Sequence, residues 1–164
     1  MYRKGVGLIL VNRCGQVFVA KRIQHANNAN LMQSPWQMPQ GGIDEGEDEC
    51  ESLLRETKEE IGLNSNEIKI IKKSDHYYGY DLPDAVRNKL WGGKYKGQEQ
   101  RWFCCLLQGS DSSIDLNGHH PEFSTWKWIS PHSLSSIVVD FKKDMYDKIF
   151  NEFYPTIKLC KHLS

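Results

Sequence analysis

Beyond Gly46 the spacing of apolar residues changes from a period of two to about 3.6 and holds through Ile61, which predicts one amphipathic helix. Glu47, Asp48 and Glu49 suit the positive end of its dipole. Gly62 followed by Leu63 suits a glycine C-cap with its apolar contact. At about 100° per residue Cys50, Leu53, Leu54, Thr57 and Ile61 form one stripe expected to be buried, while Glu56, Glu59 and Glu60 gather about a third of a turn away. The three carboxylates repel one another at i, i+3 and i, i+4 spacing, by a few tenths of a kcal/mol or so per pair, unless a cation intervenes. Mg²⁺ or Mn²⁺ would remove that conflict, since hard cations take oxygen ligands and keep positions for water and phosphate. Three helical glutamates taken alone fit an ordinary solvated acidic face at least as well.

Around this helix the chain reads mostly as strands. Runs at 6–11 and 16–20, joined by the turn-like Asn12-Arg13-Cys14-Gly15, form a hairpin. Residues 23–34, with Asn27, Asn28 and Asn30, read as a loop, and a short strand at 36–38 is broken by Pro39. Further strands are expected at 68–71, 101–107 and 126–129, and a second amphipathic helix at 141–153, where Phe141, Met145, Ile149 and Phe153 recur four apart. Strands with only two substantial helices predict a mixed α/β (α+β) class: a mixed β-sheet with helices on both faces. No repeat or linker divides residues 1–164, so one domain is expected.

Several function classes are excluded. No run approaches the roughly 18 apolar residues of a membrane span, and the N-terminus lacks a signal-peptide cleavage pattern, so a soluble, cytoplasmic protein is expected. Five cysteines without CxxC spacing fit reduced thiols better than disulfides or a zinc site. Lys+Arg and Asp+Glu both number 21, which argues against general binding to nucleic acid; any anion must be held by local charge. GxxxxGK[ST] and HExxH are absent, and Gly5-Val6-Gly7 does not continue to GxGxxG.

Gly41, Glu47, Arg55, Glu56, Glu59, Glu60, Gly62 and Leu63 satisfy Gly-x5-Glu-x7-Arg-Glu-U-x-Glu-Glu-x-Gly-U, where U is a bulky aliphatic residue. This stretch, 41–63, resembles the Nudix box, with Thr57 at the first U as the departure. Trp36-Gln37-Met38-Pro39-Gln40-Gly41-Gly42, Gly97-Gln98-Glu99-Gln100-Arg101-Trp102-Phe103, Pro121-Glu122-Phe123 and Phe141-Lys142-Lys143 resemble bacterial RNA pyrophosphohydrolases and the related asymmetric dinucleoside tetraphosphate hydrolases. The likeness runs from about Tyr2 to Phe153, with a domain core at about 3–153; 27–35 and Tyr80-Asp81-Leu82-Pro83 lean toward the dinucleoside polyphosphate enzymes.

The resemblance implies a Nudix fold and a metal-dependent hydrolase of nucleoside 5′-polyphosphates, with an RNA 5′ end or a dinucleoside polyphosphate as substrate and neither membrane nor DNA as partner. RNA 5′ pyrophosphohydrolase is the first reading, asymmetric diadenosine polyphosphate hydrolase the alternative, and a non-catalytic nucleotide sensor a third. It implies that Glu56, Glu59 and Glu60, the Gly41 carbonyl and Glu122 hold Mg²⁺ or Mn²⁺, with Glu59 accepting a proton from the attacking water. Without it, Glu122 reads as a surface-loop acid. Arg55 would orient the carboxylates, although an ordinary surface ion pair explains it as well, and Glu47 would brace the helix start. Arg3, Lys21, Arg22 and Lys142 could bind phosphates, and the resemblance puts Arg3 and Lys142 first. It also makes Phe141 a platform for a base, where periodicity alone reads the first core residue of its helix. Tyr77, Tyr78 and Tyr80 cluster near an expected loop as contacts to a base or phosphate, or as packing. His119 and His120 read as loop residues and Cys104 and Cys105 as core.

Overall fold

The computed structural model describes residues 1–23 and 34–163, so the loop expected at 23–34 and the 27–35 segment lie, except at their ends, outside the described residues. Among the described residues seven strands, β1 Tyr2–Val11, β2 Val17–Arg22, β3 Trp36–Gln37, β4 Gln40–Gly42, β5 Ile68–Asp81, β6 Gly97–Leu107 and β7 Phe123–Ile129, form one mixed sheet. Its order is β3-β2-β1-β6-β5, with β4 also on β1 and β7 on β2. β1 and β6 run parallel and the other pairs antiparallel. The helices are α1 Glu49–Ile61, the short α2 Asp84–Arg87 and α3 Leu134–Ile137, and α4 Lys143–Leu159.

The central pair β1 and β6 is buried on both faces. Val6, Leu8 and Leu10 with Phe103, Cys105 and Leu107 enter one apolar cluster, which α1 closes with Leu53 and Ile61. Ile9 and Val11 with Trp102, Cys104 and Leu106 enter the other, closed by Met145, Tyr146, Ile149, Phe153 and Ile157 of α4. Strands covered on both faces carry unbroken apolar runs, which is why 6–11 and 101–107 show little alternation. The sheet is therefore sandwiched between α1 and α4, as expected, and Cys104 and Cys105 are core residues.

Local chemistry sets the ends of α1. Asp48 is the N-cap and accepts from the Glu51 amide at 2.8 Å; Gly62, at φ 77°, donates to the Lys58 carbonyl at 3.1 Å. The buried stripe differs from the expected one. Cys50 is exposed, and Ser52 turns inward instead, its hydroxyl donating to the Gly42 carbonyl at 3.1 Å.

β5 is much longer than the expected 68–71 and contains Tyr77, Tyr78 and Tyr80, which therefore lie in a strand. Register shifts between Ile70 and Lys72 and between Lys73 and Tyr77 interrupt its alternation and hide it from a period-two reading. Phe141 precedes α4, in the single 3₁₀ turn Asp140–Lys142, so it is not the helix's first core residue, and the helix continues past Phe153 to Leu159.

Candidate active site

The short strand β4 lies between β1 and α1, where side chains have no room. A β-carbon on Gly41 would sit 2.1 Å from the Glu56 carboxyl carbon, and one on Gly5 would sit 2.5 Å from the Gly41 carbonyl oxygen. Two bare backbone positions thus bring the Gly41 peptide against the glutamate face of α1.

Arg55 organises that face, and each of its N–H groups has an acceptor. Nε and Nη2 bind the two oxygens of Glu47 at 2.7 and 3.0 Å, and Nη2 also reaches the Gly42 carbonyl at 3.0 Å. Nη1 is shared between Glu56 at 2.9 Å and Glu59 at 3.1 Å. The Arg55 hydrogen bonds first, and then the Asp44 amide at 2.9 Å, hold the Glu47 carboxyl at about 2. Charge-assisted, bidentate contacts of this kind fix orientation as well as charge.

The three glutamates of the helix face differ in their surroundings. The Glu59 side chain is 58% exposed, whereas Glu56 and Glu60 turn toward the sheet. Burial raises the Glu56 carboxyl above the ordinary range although Arg55 opposes it. Burial raises Glu60 well above that range, and the charges of Glu56, Glu122 and Glu59 add to the effect. One oxygen of Glu60, Oε2, is buried with no hydrogen-bond partner. Among the described residues no three acidic, histidine or cysteine side chains converge on one point, and Arg55 holds an oxygen each of Glu56 and Glu59. The fit to a hard divalent cation rests on the orphaned Glu60 oxygen and on an all-oxygen donor set, which is what Mg²⁺ and Mn²⁺ prefer.

Glu56, Glu60 and Glu122 form one wall of a cleft of about 390 Å³, and Arg3, Arg22 and Lys142 line it too. Lys142 is only 3% exposed; its ammonium donates to the buried Gln37 side-chain oxygen at 3.3 Å and lies 5.1 Å from the Tyr80 ring centre. Burial first, and then Arg22, pushes this ammonium down to about 7. Arg22 donates to the same Gln37 oxygen and, at 2.9 Å, to the Ser34 carbonyl. These two desolvated cations share one neutral amide oxygen and have no anionic counterpart among the described residues, and a phosphate would supply it.

Of the residues singled out in the sequence, Gly41, Glu56, Glu60, Glu122, Arg3, Arg22, Lys142 and Tyr80 meet in this cleft. Glu59 lines the adjoining depression with Glu122 and the exposed His119 and His120. Arg55 stands behind the carboxylates rather than in the cleft. Phe141 is not among the cleft-lining residues: it packs on Tyr80 with ring centres 5.7 Å apart and faces a separate depression with Tyr2, Tyr77 and Asp144. Lys21 is exposed and lines neither. Sequence reasoning gave no role to Gln37, Gln40, Gly5 or Trp91. A neutral amide has no charge pattern to mark it, but the Trp91-Gly92-Gly93 run did carry a turn signal.

The NUDIX domain profile matches residues 1–152. A protein of Sphingopyxis alaskensis named RNA pyrophosphohydrolase is 43% identical over 156 residues, 95% of each chain. Another of that name from Erythrobacter litoralis is 44% identical over 153 residues, 93% of this chain and 90% of that one. Among solved structures the fold is similar to that of the E. coli dihydroneopterin triphosphate pyrophosphohydrolase, with TM-score 0.68, 15% identity and coverage of 93% and 99%. It is also similar to a C. elegans Ap4A hydrolase in a binary complex, with TM-score 0.64, 20% identity and coverage of 93% and 98%.

Proposed function

The chain belongs to the Nudix hydrolase family, and on that premise we propose that it removes pyrophosphate from the 5′ end of triphosphorylated RNA with Mg²⁺ or Mn²⁺ as cofactor. The relatives at 43% and 44% identity, named for that reaction, support the choice of substrate. The observation that carries the chemistry is the presence, in one cleft, of the half-buried carboxylates Glu56 and Glu60 together with the cations Arg3, Arg22 and Lys142.

Glu56, Glu59, Glu60, the Gly41 carbonyl and Glu122 would hold the cation. When bound, it supplies Lewis acidity, offsetting phosphate charge and making water a stronger acid. Arg55 keeps Glu56 and Glu59 in place from behind. Arg3, Arg22 and Lys142 receive the non-bridging oxygens of the polyphosphate and aim one anhydride phosphorus at the carboxylate wall. Water oxygen then bonds to that phosphorus, the anhydride P–O bond breaks, and monophosphorylated RNA and pyrophosphate depart. The proton released from water passes to Glu59, the most solvent-open of the three helix carboxylates. Tyr80 floors the cleft beneath Lys142, and Phe141 supports Tyr80 from outside. This reading puts the enzyme in mRNA decay in the cytoplasm, with no membrane or DNA partner. No described helix is long and apolar enough to cross a membrane.

Parallel kinetics on 5′-triphosphorylated RNA and on diadenosine tetraphosphate, with Mg²⁺ and with Mn²⁺, test the assignment. The RNA is expected to give the higher kcat/KM. A higher value for diadenosine tetraphosphate would reassign the chain to asymmetric dinucleoside polyphosphate hydrolysis, and binding of either without turnover would make it a sensor.

A further inference from the structure

Between β5 and β6 the chain makes an excursion that the chemistry above does not use. Residues 84–96 carry Arg87, Lys89, Lys94 and Lys96 against one acid, Asp84, in a chain of zero formal charge. Lys89, Lys94 and Lys96 are exposed, and none of the four basic side chains is ion-paired among the described residues. Aromatic rings are interleaved with them. Trp91 and Tyr95 meet edge to face at 5.9 Å, with Lys94 lying 5.2 Å from the Tyr95 ring.

The excursion is held firmly at its base. The Leu82 amide donates to the Lys96 carbonyl at 2.8 Å, the Lys96 amide to the Met1 carbonyl at 3.0 Å, and Leu82 and Val86 are buried. Trp91 lines the cleft itself, with the Arg3 guanidinium 5.0 Å from its ring centre. It also holds φ 49°, followed by Gly92 at 63° and Gly93 at 73°. A bulky residue rarely keeps a left-handed backbone unless its surroundings impose it, and such residues cluster at binding sites.

We propose that this excursion is the surface over which single-stranded RNA leaves the cleft, with a base stacked on Trp91 and the following backbone phosphates against Arg87, Lys89, Lys94 and Lys96. Cationic side chains interleaved with aromatic rings are what single-stranded nucleic acid requires of a protein, since every nucleobase has a face to stack and every linkage a charge. A dinucleoside polyphosphate ends at its second nucleoside and has no phosphodiester backbone to lay on these residues. The inference rests on the RNA reading above.

The test compares wild type with an Arg87→Gln, Lys89→Gln, Lys94→Gln, Lys96→Gln variant on two substrates, a triphosphorylated dinucleotide and a triphosphorylated RNA of about twenty nucleotides, across a salt series. For the long RNA the variant is expected to show kcat/KM at least about tenfold lower at low salt, and its log–log salt slope to flatten by up to about 3, near 0.7 for each phosphate no longer neutralised. For the dinucleotide it should match wild type. Trp91→Ala should raise KM on both RNAs, with Trp91→Phe restoring most of it. Equal kcat/KM and equal salt slopes for wild type and variant on the long RNA would overturn the surface while leaving the RNA reading intact. Wild type that cleaves diadenosine tetraphosphate but neither RNA would overturn both.

Discussion

Lys142 and Glu60, of opposite charge, line the same cleft and share one electrostatic problem: burial penalises the charged form of each. For Lys142 the consequence is a pH effect on substrate capture. With its ammonium at about 7, the substrate-free enzyme loses the charge as pH rises through that value, so kcat/KM should fall by up to tenfold per pH unit above it. Lys142→Arg keeps its charge throughout and should flatten this limb. A wild-type profile with no fall between about pH 7 and 9, or a variant profile that tracks it, contradicts the assignment. The same depression acts on stability with a definite sign. Between about 7 and the ordinary lysine value the unfolded chain holds a proton that the folded chain has released, so the substrate-free protein gains stability as pH rises through that window. On the acidic wall, Glu59→Gln and Glu60→Gln should each lower kcat by at least on the order of 10²-fold, because each removes charge from the reacting centre. Glu60→Gln should melt at or above the wild-type temperature, since it deletes a penalised carboxylate and keeps its shape, and Glu59→Gln should melt close to it, since its exposed pair with Arg55 is worth only about 0–1 kcal/mol. Near-normal kcat in both variants would return these residues to a plain acidic surface.

At the scale of elements, α1 is the structure that sequence chemistry describes most completely. Its acidic start, its apolar stripe apart from Cys50, and its glycine stop are all local, so a window of residues contains the information. Gly62 is where that chemistry can be tested. Its φ of 77° disfavours any β-carbon, and one placed there would lie 2.7 Å from the carbonyl oxygen of Asp115, whose amide in turn donates to the Ile61 carbonyl. Gly62→Ala should cost about 1–2 kcal/mol, read as a lower urea midpoint with an unchanged slope; an unmoved midpoint would mean the turn relaxes freely. Only the start of β5, 68–71, is legible, for the opposite reason. Its two register shifts are set by its partner β6, and a sequence window cannot contain the partner. Nor could β4 be read, because its Gln40-Gly41-Gly42 has turn composition and becomes a strand only by pairing with β1. Phe141 was misplaced because a four-residue spacing runs smoothly through a 3₁₀ turn into α4.

For the molecule as a whole, the two halves of the site are legible to different degrees. Apart from Glu122, the carboxylate half lies within 41–63, where the box pattern marks it although helical spacing alone does not separate it from a plain acidic face. The cationic half draws Arg3, Arg22 and Lys142 from three separate elements, Arg22 and Lys142 sharing the Gln37 amide oxygen; each in isolation looks like any surface base, and before the sheet assembles only the family resemblance marks Arg3 and Lys142. The two halves are nevertheless coupled, and removing the metal is the measurement that reads the coupling. Without a cation, Glu60 feels Glu56, Glu122 and Glu59 while its buried Oε2 has no hydrogen-bond partner, so its charged form is penalised in the folded state. Enzyme in EDTA should therefore be inactive, and added Mg²⁺ or Mn²⁺ should restore turnover and raise the melting temperature together. Any ligand that binds only the folded chain stabilises it by RT ln(1 + [L]/Kd), about 2.7 kcal/mol at a hundredfold excess over Kd, so the rise should follow ion concentration. Glu60→Gln should blunt it, having lost both the repulsion and the ligand. Full activity in EDTA would refute the metal-dependent mechanism. Activity restored by the ion with no shift in melting temperature would put the cation on the polyphosphate rather than on the protein, and would remove the glutamates from its coordination.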